Sequence, residues 1–547
     1  MIHATRSRDP GTRIGARFGS FRARAAATAG AAFLALSFVL GSATPSDARS
    51  VANDKAAADK GRDRHVSRII ISIPPRQEAR IHTLLSKAVG KARGEKLGAS
   101  QFEVWTVPTA RLDRLARRLN RLGISVMHLP DDWNHILQLQ QGPAALSAAQ
   151  DEFAKKARAS PEFVGMGMMK APHAAISEYA LTVGAKMPAA AGSRAPEKSE
   201  SRIVIPINGS KQVIVQRTHT VTSEKGSSWR GTVEETGENA LLMWWKDGRI
   251  SGVFSYKGRI YSIVNAGSEV HAVIETDPKK MPPDHAPATS DRARALRDRV
   301  APESEAEPSP PAAIKPFSDA ERRALEAKKI VIDLMILYTK KAESHYMRGP
   351  ADIIELAVEQ ANQSFRNSGI GNVSLRLVHM QAIDYDEGDA LQFDHLYRMV
   401  DGVGAFKDVR RLRDHKRADI VGLVLQDPSG CGLSTRVGAD AEEAYFVVHH
   451  ACATLTISMA HEIGHILGAR HDRTIDQSDS PFPYGHGYVN GSKWRCIMSY
   501  HKGCDGCPRI PFWSNPRINY QGEPTGTPAE DTARLVLEQA ERVAKFR

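Results

Sequence analysis

Cysteine is scarce in this chain: five residues in 547, and none before Cys431. The first 430 positions therefore offer no thiolate, and Cys504-x-x-Cys507 has no second such pair with which to build a four-thiolate metal site. Aromatic residues make up only 6%. No basic stripe with interleaved aromatics accompanies the formal charge of +12, so nucleic acid is not among the expected partners. Beyond the N-terminus no apolar run is long enough to cross a bilayer. No Arg-Arg pair precedes the N-terminal apolar run, which argues against export in the folded state.

What remains is globular in character. Apolar residues make up 41% and charged residues 25%, and the length calls for several domains. The first 48 residues read as an export signal. Arg6, Arg8, Arg13, Arg17, Arg22 and Arg24 precede an apolar core around Phe33 to Leu40, and small residues follow near Ala43 and Ala48. The competing reading, a retained membrane anchor, is weaker because the run falls short of a bilayer span.

One stretch carries the chemistry: His461-Glu462-Ile463-Gly464-His465-Ile466-Leu467-Gly468-Ala469-Arg470-His471-Asp472. Two histidines four apart on a helix project from one face, so both imidazoles reach one ion. Glu462 stands where a carboxylate can hold water. Gly468 lets the helix stop and the chain turn, bringing His471 in as a third nitrogen. Three protein ligands leave a position open, which marks a catalytic rather than a structural zinc site. The plain alternative is a buried amphipathic helix with incidental histidines; Gly468 and His471 at their offsets make it the poorer account.

A second segment, Arg495-Cys496-Ile497-Met498-Ser499-Tyr500, completes a pattern that resembles the metzincin zinc endopeptidases. Asp472 after the third histidine resembles their reprolysin (adamalysin-like) branch. The run Phe512-Trp513-Ser514-Asn515-Pro516 and the C-terminus to Arg547 resemble the bacterial peptidyl-Asp metallopeptidases. The resemblance implies an α/β (α+β) catalytic domain with a mixed twisted sheet and a zinc-binding helix. One zinc ion would be held by His461, His465 and His471, with Glu462 as general base. Met498 would pack beneath the metal, and Asp472 would tie the turn after His471. Calcium is left unassigned. Tyr500 resembles a tyrosine of the astacin and serralysin branches, which implies a place near the metal or the oxyanion; a core tyrosine is the alternative. Substrates would be proteins or peptides, with an acidic residue preferred just after the cut. Lys493, Arg495, Lys502 and Arg509 flank the methionine turn as candidate readers of that acid, against a solvated surface charge for each.

The rest of the chain falls into modules. Residues 66–135 alternate strand and helix patterns and suggest a small α/β module, with a basic helix at Ala110–Leu122 read as a solvated face. Residues 136–200 read as a connector. From 201 to 287 the period becomes two, which predicts a small all-β module. Its Trp229, Trp244 and Trp245 are expected in a core or against another domain rather than as a ligand platform. Both modules resemble propeptides, so the chain's own N-terminal half is an expected inhibitor. Residues 288–328, rich in proline and charge, read as a linker with a processing site. The catalytic domain is expected over 329–547, opening on the apolar strand Ile330–Tyr338.

Export makes disulfides plausible. Cys431 with Cys452 and Cys504 with Cys507 are candidate pairs with Cys496 left over; Cys496 paired with Cys504 or Cys507 fits the spacing equally. With no upstream cysteine, a thiolate cannot silence the zinc. Asp284 or His285 in the open position is one alternative, and simple coverage of the cleft is another. The rival function, a secreted binding protein that has lost turnover, has nothing to support it while Glu462 is present.

Overall fold

The computed structural model describes residues 66–170, 202–285 and 315–547. Short breaks fall within 66–170 and at 209–210, 223–225, 246 and 505. The expected signal peptide at 1–48, the second half of the connector and most of the expected processing window lie outside the described residues.

The first module runs β1 (Val66–Ser72), α1 (Glu78–Val89), β2 (Glu95–Lys96), β3 (Phe102–Pro108), α2 (Thr109–Asn120) and β4 (Val126–Leu129). Its sheet has the order β2-β3-β1-β4 and every pairing is antiparallel. Ile69, Ile71, Trp105 and Val107 alternate onto one face and meet Ile81, Leu85, Leu115 and Leu119 of the helices. Alternation in strands and a three-to-four spacing in helices bury the same small core from two sides.

The second module is larger than its pattern suggests. Within the stretch expected as a connector lie β5 (Ile136–Gln138), β6 (Gln140–Gln141), α3 (Ala148–Ala159) and β7 (Phe163–Lys170). These are not a connector. β7 pairs along its length with β14 (Val270–Thr276), the last strand of the module. Between them come β8 (Arg202–Pro206), β9 (Gln212–Thr222), β10 (Gly226–Val233), β11 (Asn239–Trp245), β12 (Ile250–Tyr256) and β13 (Arg259–Asn265). The ten-stranded order is β5-β8-β9-β10-β11-β12-β13-β14-β7-β6. The sheet curls so far that a Cβ on Gly167 of β7 would stand 2.0 Å from the carbonyl oxygen of Ile207, just past β8. Glycine is required there because two backbones touch. Trp229 and Trp244 fill the inside of the curl and Trp245 is also buried, as expected of core residues.

In the third module β15 (Ile330–Thr339), α4 (Ala351–Asn367), β16 (Val373–Ile383), α5 (Gln392–Val400), α6 (Val409–Lys416), β17 (Ile420–Leu425), β18 (Gly432–Ser434) and β19 (Tyr445–His449) precede the histidine helix. The sheet order is β16-β15-β17-β19-β18; four strands are parallel, and β18 runs antiparallel at the edge. In β15, Ile332, Leu334 and Ile336 face one core while Met335 and Leu337 face another. Both faces are covered, which is why the strand reads as a nearly unbroken apolar run. The linker also ends earlier than expected. Ser318 caps the helix Asp319–Glu326, and the Phe317 ring lies under the guanidiniums of Arg517 and Arg534, so these residues belong to this module.

The β module rests on α4. Arg230 pairs with Glu359 at 3.2 Å, Ser228 donates to the same carboxylate at 2.9 Å, and Arg249 pairs with Asp352. Leu241 and Val253 pack on Leu356 and Leu455 beside these polar contacts. No helix among the described residues is long and apolar enough to cross a membrane.

Candidate functional site

The histidine helix, α7, spans Ser458–Leu467 and is buried along its whole length. Ile457 before it takes φ +58°, a region that β-branched residues rarely enter. Gly468 ends the helix at φ +117°, its N–H donating to the carbonyls of Gly464 and His465. The turn this permits brings His471 back toward the helix, as the sequence pattern requires. Disulfide bonds join Cys431 to Cys452 and Cys504 to Cys507, with Cys496 free and buried.

Four imidazoles meet here. One ring nitrogen of each of His285, His461, His465 and His471 lies within 4.8 Å of the others. Nδ1 of His461 donates to the Ile497 carbonyl at 2.8 Å, and Nδ1 of His465 donates to the Ala469 carbonyl at 2.8 Å. With those protons committed, the two Nε2 atoms face each other at 3.1 Å as lone pairs. Both nitrogens of His471 are buried without a partner. Burial pushes the His461 and His471 rings well below the usual imidazole value and His465 down to about 4, and neighbouring imidazoles add to the effect for His461 and His471. Converging, neutral, unpartnered nitrogens are the donor set a cation of zinc's type takes, and backbone carbonyls orient two of the rings from behind.

Glu462 is fully buried beside this cluster. Its Oε2 accepts from Ser434 Oγ of the edge strand at 3.1 Å, and its Oε1 has no hydrogen-bond partner. A Cβ on Gly432 would stand 2.5 Å from that Oε1, so the edge strand must carry glycine where it passes the carboxylate. Sequence reasoning did not single out Gly432 or Ser434; the i-to-i spacing of a motif says nothing about what crosses it from another strand.

Met498 is fully buried and packs against the histidine helix. Its sulfur packs where a Cβ on Gly464 would come within 2.5 Å. Asp472 links the two segments, since its carboxylate accepts from Thr474 Oγ1 and, at 2.9 Å, from the Tyr500 N–H. The Tyr500 ring lies against His471 with centroids 4.1 Å apart. Burial, then the nearby carboxylates of Asp284 and Glu462, hold the Tyr500 phenol well above its ordinary value, so it stays protonated.

His285 arrives from the end of the β module. Its Nδ1 is 2.6 Å from the Tyr500 hydroxyl and its Nε2 is 3.6 Å from Glu462 Oε1. Asp284 beside it enters a separate recess, where it meets Arg509, Arg495 and His501. Of the four cations flanking the methionine turn, Arg495 and Arg509 therefore gather on one carboxylate. Lys493 instead pairs with Glu523 at the surface, and Lys502 is exposed. His501 was not foreseen, for it carries no motif spacing.

Comparison with known proteins follows the same residues. A family model described as Reprolysin_5, metallo-peptidase family M12, matches residues 328–514. A peptidyl-Asp metalloendopeptidase of Xanthomonas campestris pv. campestris is 32% identical over 302 residues, covering 54% of this chain and 67% of that protein. One from Stenotrophomonas maltophilia (strain R551-3) is 30% identical over 318 residues, covering 56% and 71%. One from Pseudomonas fragi is 43% identical over 99 residues, covering 18% and 62%.

Proposed function

The chain belongs to the reprolysin-like M12 metallopeptidases and is a metalloendopeptidase acting on proteins or peptides; on that premise we propose an exported zymogen whose His461, His465 and His471 hold one zinc ion and whose Glu462 is the general base. The observation that carries this reading is the pair of Nε2 lone pairs facing each other at 3.1 Å, an arrangement that repels unless a cation lies within it.

A zinc ion bound there supplies Lewis acidity toward water and toward a peptide carbonyl. Glu462 takes a proton from the attacking water and passes it to the departing amide nitrogen. Ser434 holds one oxygen of that carboxylate, so the other faces the substrate in a fixed direction. Once His285 has left, the protonated Tyr500 hydroxyl is free to donate to the oxyanion that forms at the carbonyl. The substrate lies along β18, an edge whose free backbone groups accept an added strand. Cys431, at the start of that edge, already donates its N–H to the Pro283 carbonyl at 2.7 Å, which models the contact.

The N-terminal signal-like run supports export, and the α/β and β modules act as a propeptide that covers the cleft until it is cut away. The names of the relatives support a preference for aspartate at the cleaved bond. Replacing Glu462 by Gln tests the assignment of roles: kcat falls at least ~100-fold while bound metal is unchanged. Hydrolysis at the wild-type rate removes Glu462 from the chemistry.

A further inference from the structure

The two arginines of the recess that receives Asp284 are also held by backbone carbonyls. Arg509 donates through Nη1 to the Thr456 carbonyl at 2.6 Å and through Nη2 to the Ser499 carbonyl at 2.9 Å. Arg495 donates to the Ser499 carbonyl and, through Nε, to the Cys507 carbonyl at 3.2 Å. Both side chains are more than nine-tenths buried. Two guanidiniums, fixed by backbone and stripped of water, repel one another and call for an anion. Burial first, and then Arg509, push the Arg495 guanidinium down to about 9, which expresses that repulsion.

Asp284 supplies the anion. Its Oδ1 lies 3.0 Å from Arg509 Nη2 and 4.0 Å from Arg495 Nη1, and its Oδ2 accepts from the ring and backbone N–H of His501 at 2.9 and 3.3 Å. Among the described residues, no other carboxylate forms an ion pair with either guanidinium. Burial alone would raise the Asp284 carboxyl, but Arg509, His501 and Arg495 outweigh it and hold the group well below the ordinary carboxylate value.

We propose that the recess of Arg495, His501 and Arg509 is the subsite that reads an acidic side chain of the substrate, and that Asp284 occupies it in the unprocessed chain as a substrate stand-in laid down in the opposite chain direction. The inference rests on the peptidase reading above and names the residues that give it specificity. The direction follows from three neighbours. In a substrate cut before its acid, the carbonyl preceding the acid faces the imidazole cluster. Here that carbonyl, of Pro283, is held by the Cys431 N–H, and the residue against the cluster is His285, which follows the acid. The strap thus offers the recognised side chain without offering the bond to be cut.

The test uses the full-length chain, folded with its N-terminal half and processed afterwards, on paired peptides with Asp or Asn after the scissile bond. Wild-type enzyme favours Asp, and Arg509→Met lowers the Asp/Asn ratio of kcat/KM by about 10- to 100-fold. Arg509→Lys retains part of it, and Lys493→Met and Lys502→Met leave the ratio unchanged. An Arg509→Met enzyme that keeps the full ratio overturns the assignment while leaving the peptidase reading intact; a wild-type enzyme that cuts peptides without preferring Asp overturns the subsite itself. Arg509 also braces Thr456 and Ser499, so a second arm needs no variant of the enzyme. A synthetic peptide spanning 281–285 inhibits processed wild type, and Asn in place of its Asp weakens inhibition about tenfold or more. Equal inhibition by the two peptides contradicts the proposal, and cleavage between Pro283 and Asp284 contradicts the reversed direction.

Discussion

The Tyr500 hydroxyl and Nδ1 of His285 stand 2.6 Å apart across 215 residues of sequence. The bond engages the phenol proposed above as the oxyanion donor, and the His285 ring lies 5.0 Å from His471 and 5.6 Å from His461, centroid to centroid. On the proposed roles, His285 both occupies the oxyanion donor and fills the approach to His461 and His471.

Replacing both Asp284 and His285 by Ala in the unprocessed full-length chain is expected to raise its hydrolysis at least ~10-fold, because each loses a buried, partly charge-assisted contact. Single substitutions give smaller increases. The measurement is the initial rate on a fluorogenic peptide before any cut in the linker. Unchanged silence in the double variant means that bulk coverage by the β module is sufficient without the strap.

Gly464 and Met498 make a prediction about stability. A Cβ on Gly464 would meet the Met498 sulfur at 2.5 Å and Trp513 Cζ3 at 2.9 Å, all within a buried layer. Overpacking costs about 1–3 kcal/mol, whereas Gly→Ala in a helix returns about 1 kcal/mol. The clash wins, so Gly464→Ala lowers the melting temperature by a few degrees and lowers activity with it. A melting temperature equal to or above wild type contradicts the packing described.

His271 gives the β module a pH dependence. The ring is fully buried; Nδ1 donates to the Glu269 carbonyl at 3.0 Å, and Nε2 accepts the Ile250 N–H at 2.9 Å. Burial, with a smaller push from Arg249, lowers this histidine to about 4. The unfolded chain takes up a proton near pH 6.5, but the folded ring refuses it until about pH 4. Stability is therefore full above pH 6.5 and falls through that window as the pH drops, by roughly 3 kcal/mol in all. Hydrogen exchange at the Ile250 amide, compared between wild type and His271→Gln at pH 7 and pH 5, reads the effect. Equal pH sensitivity in the two proteins assigns it elsewhere.

How much of this the sequence disclosed follows from how local each feature is. His461 and His465 share one helical face, and Gly468 turns the chain back toward them, so the proposed ligand set is written within 11 residues. β15 was legible because a parallel strand covered on both faces leaves an unbroken apolar run. β7 was not: its Phe-Val-Gly-Met-Gly-Met-Met-Lys has flexible methionines and two glycines where β-branched residues would announce a strand, and its register is set by β14, about a hundred residues away. The acid recess was half legible. Arg495 and Arg509 flank the methionine turn, but His501 and the partner Asp284, 225 residues from Arg509, are brought in by the fold alone.

Metal content per chain tests the central claim most directly. Full-length wild type, dialysed free of loose metal, should carry one zinc ion by elemental analysis. Single His461→Ala, His465→Ala and His471→Ala variants that remain folded by circular dichroism should each lose most of it. Retention of a full equivalent in all three, or a wild-type enzyme that stays fully active after a strong chelator has stripped its metal, contradicts the account.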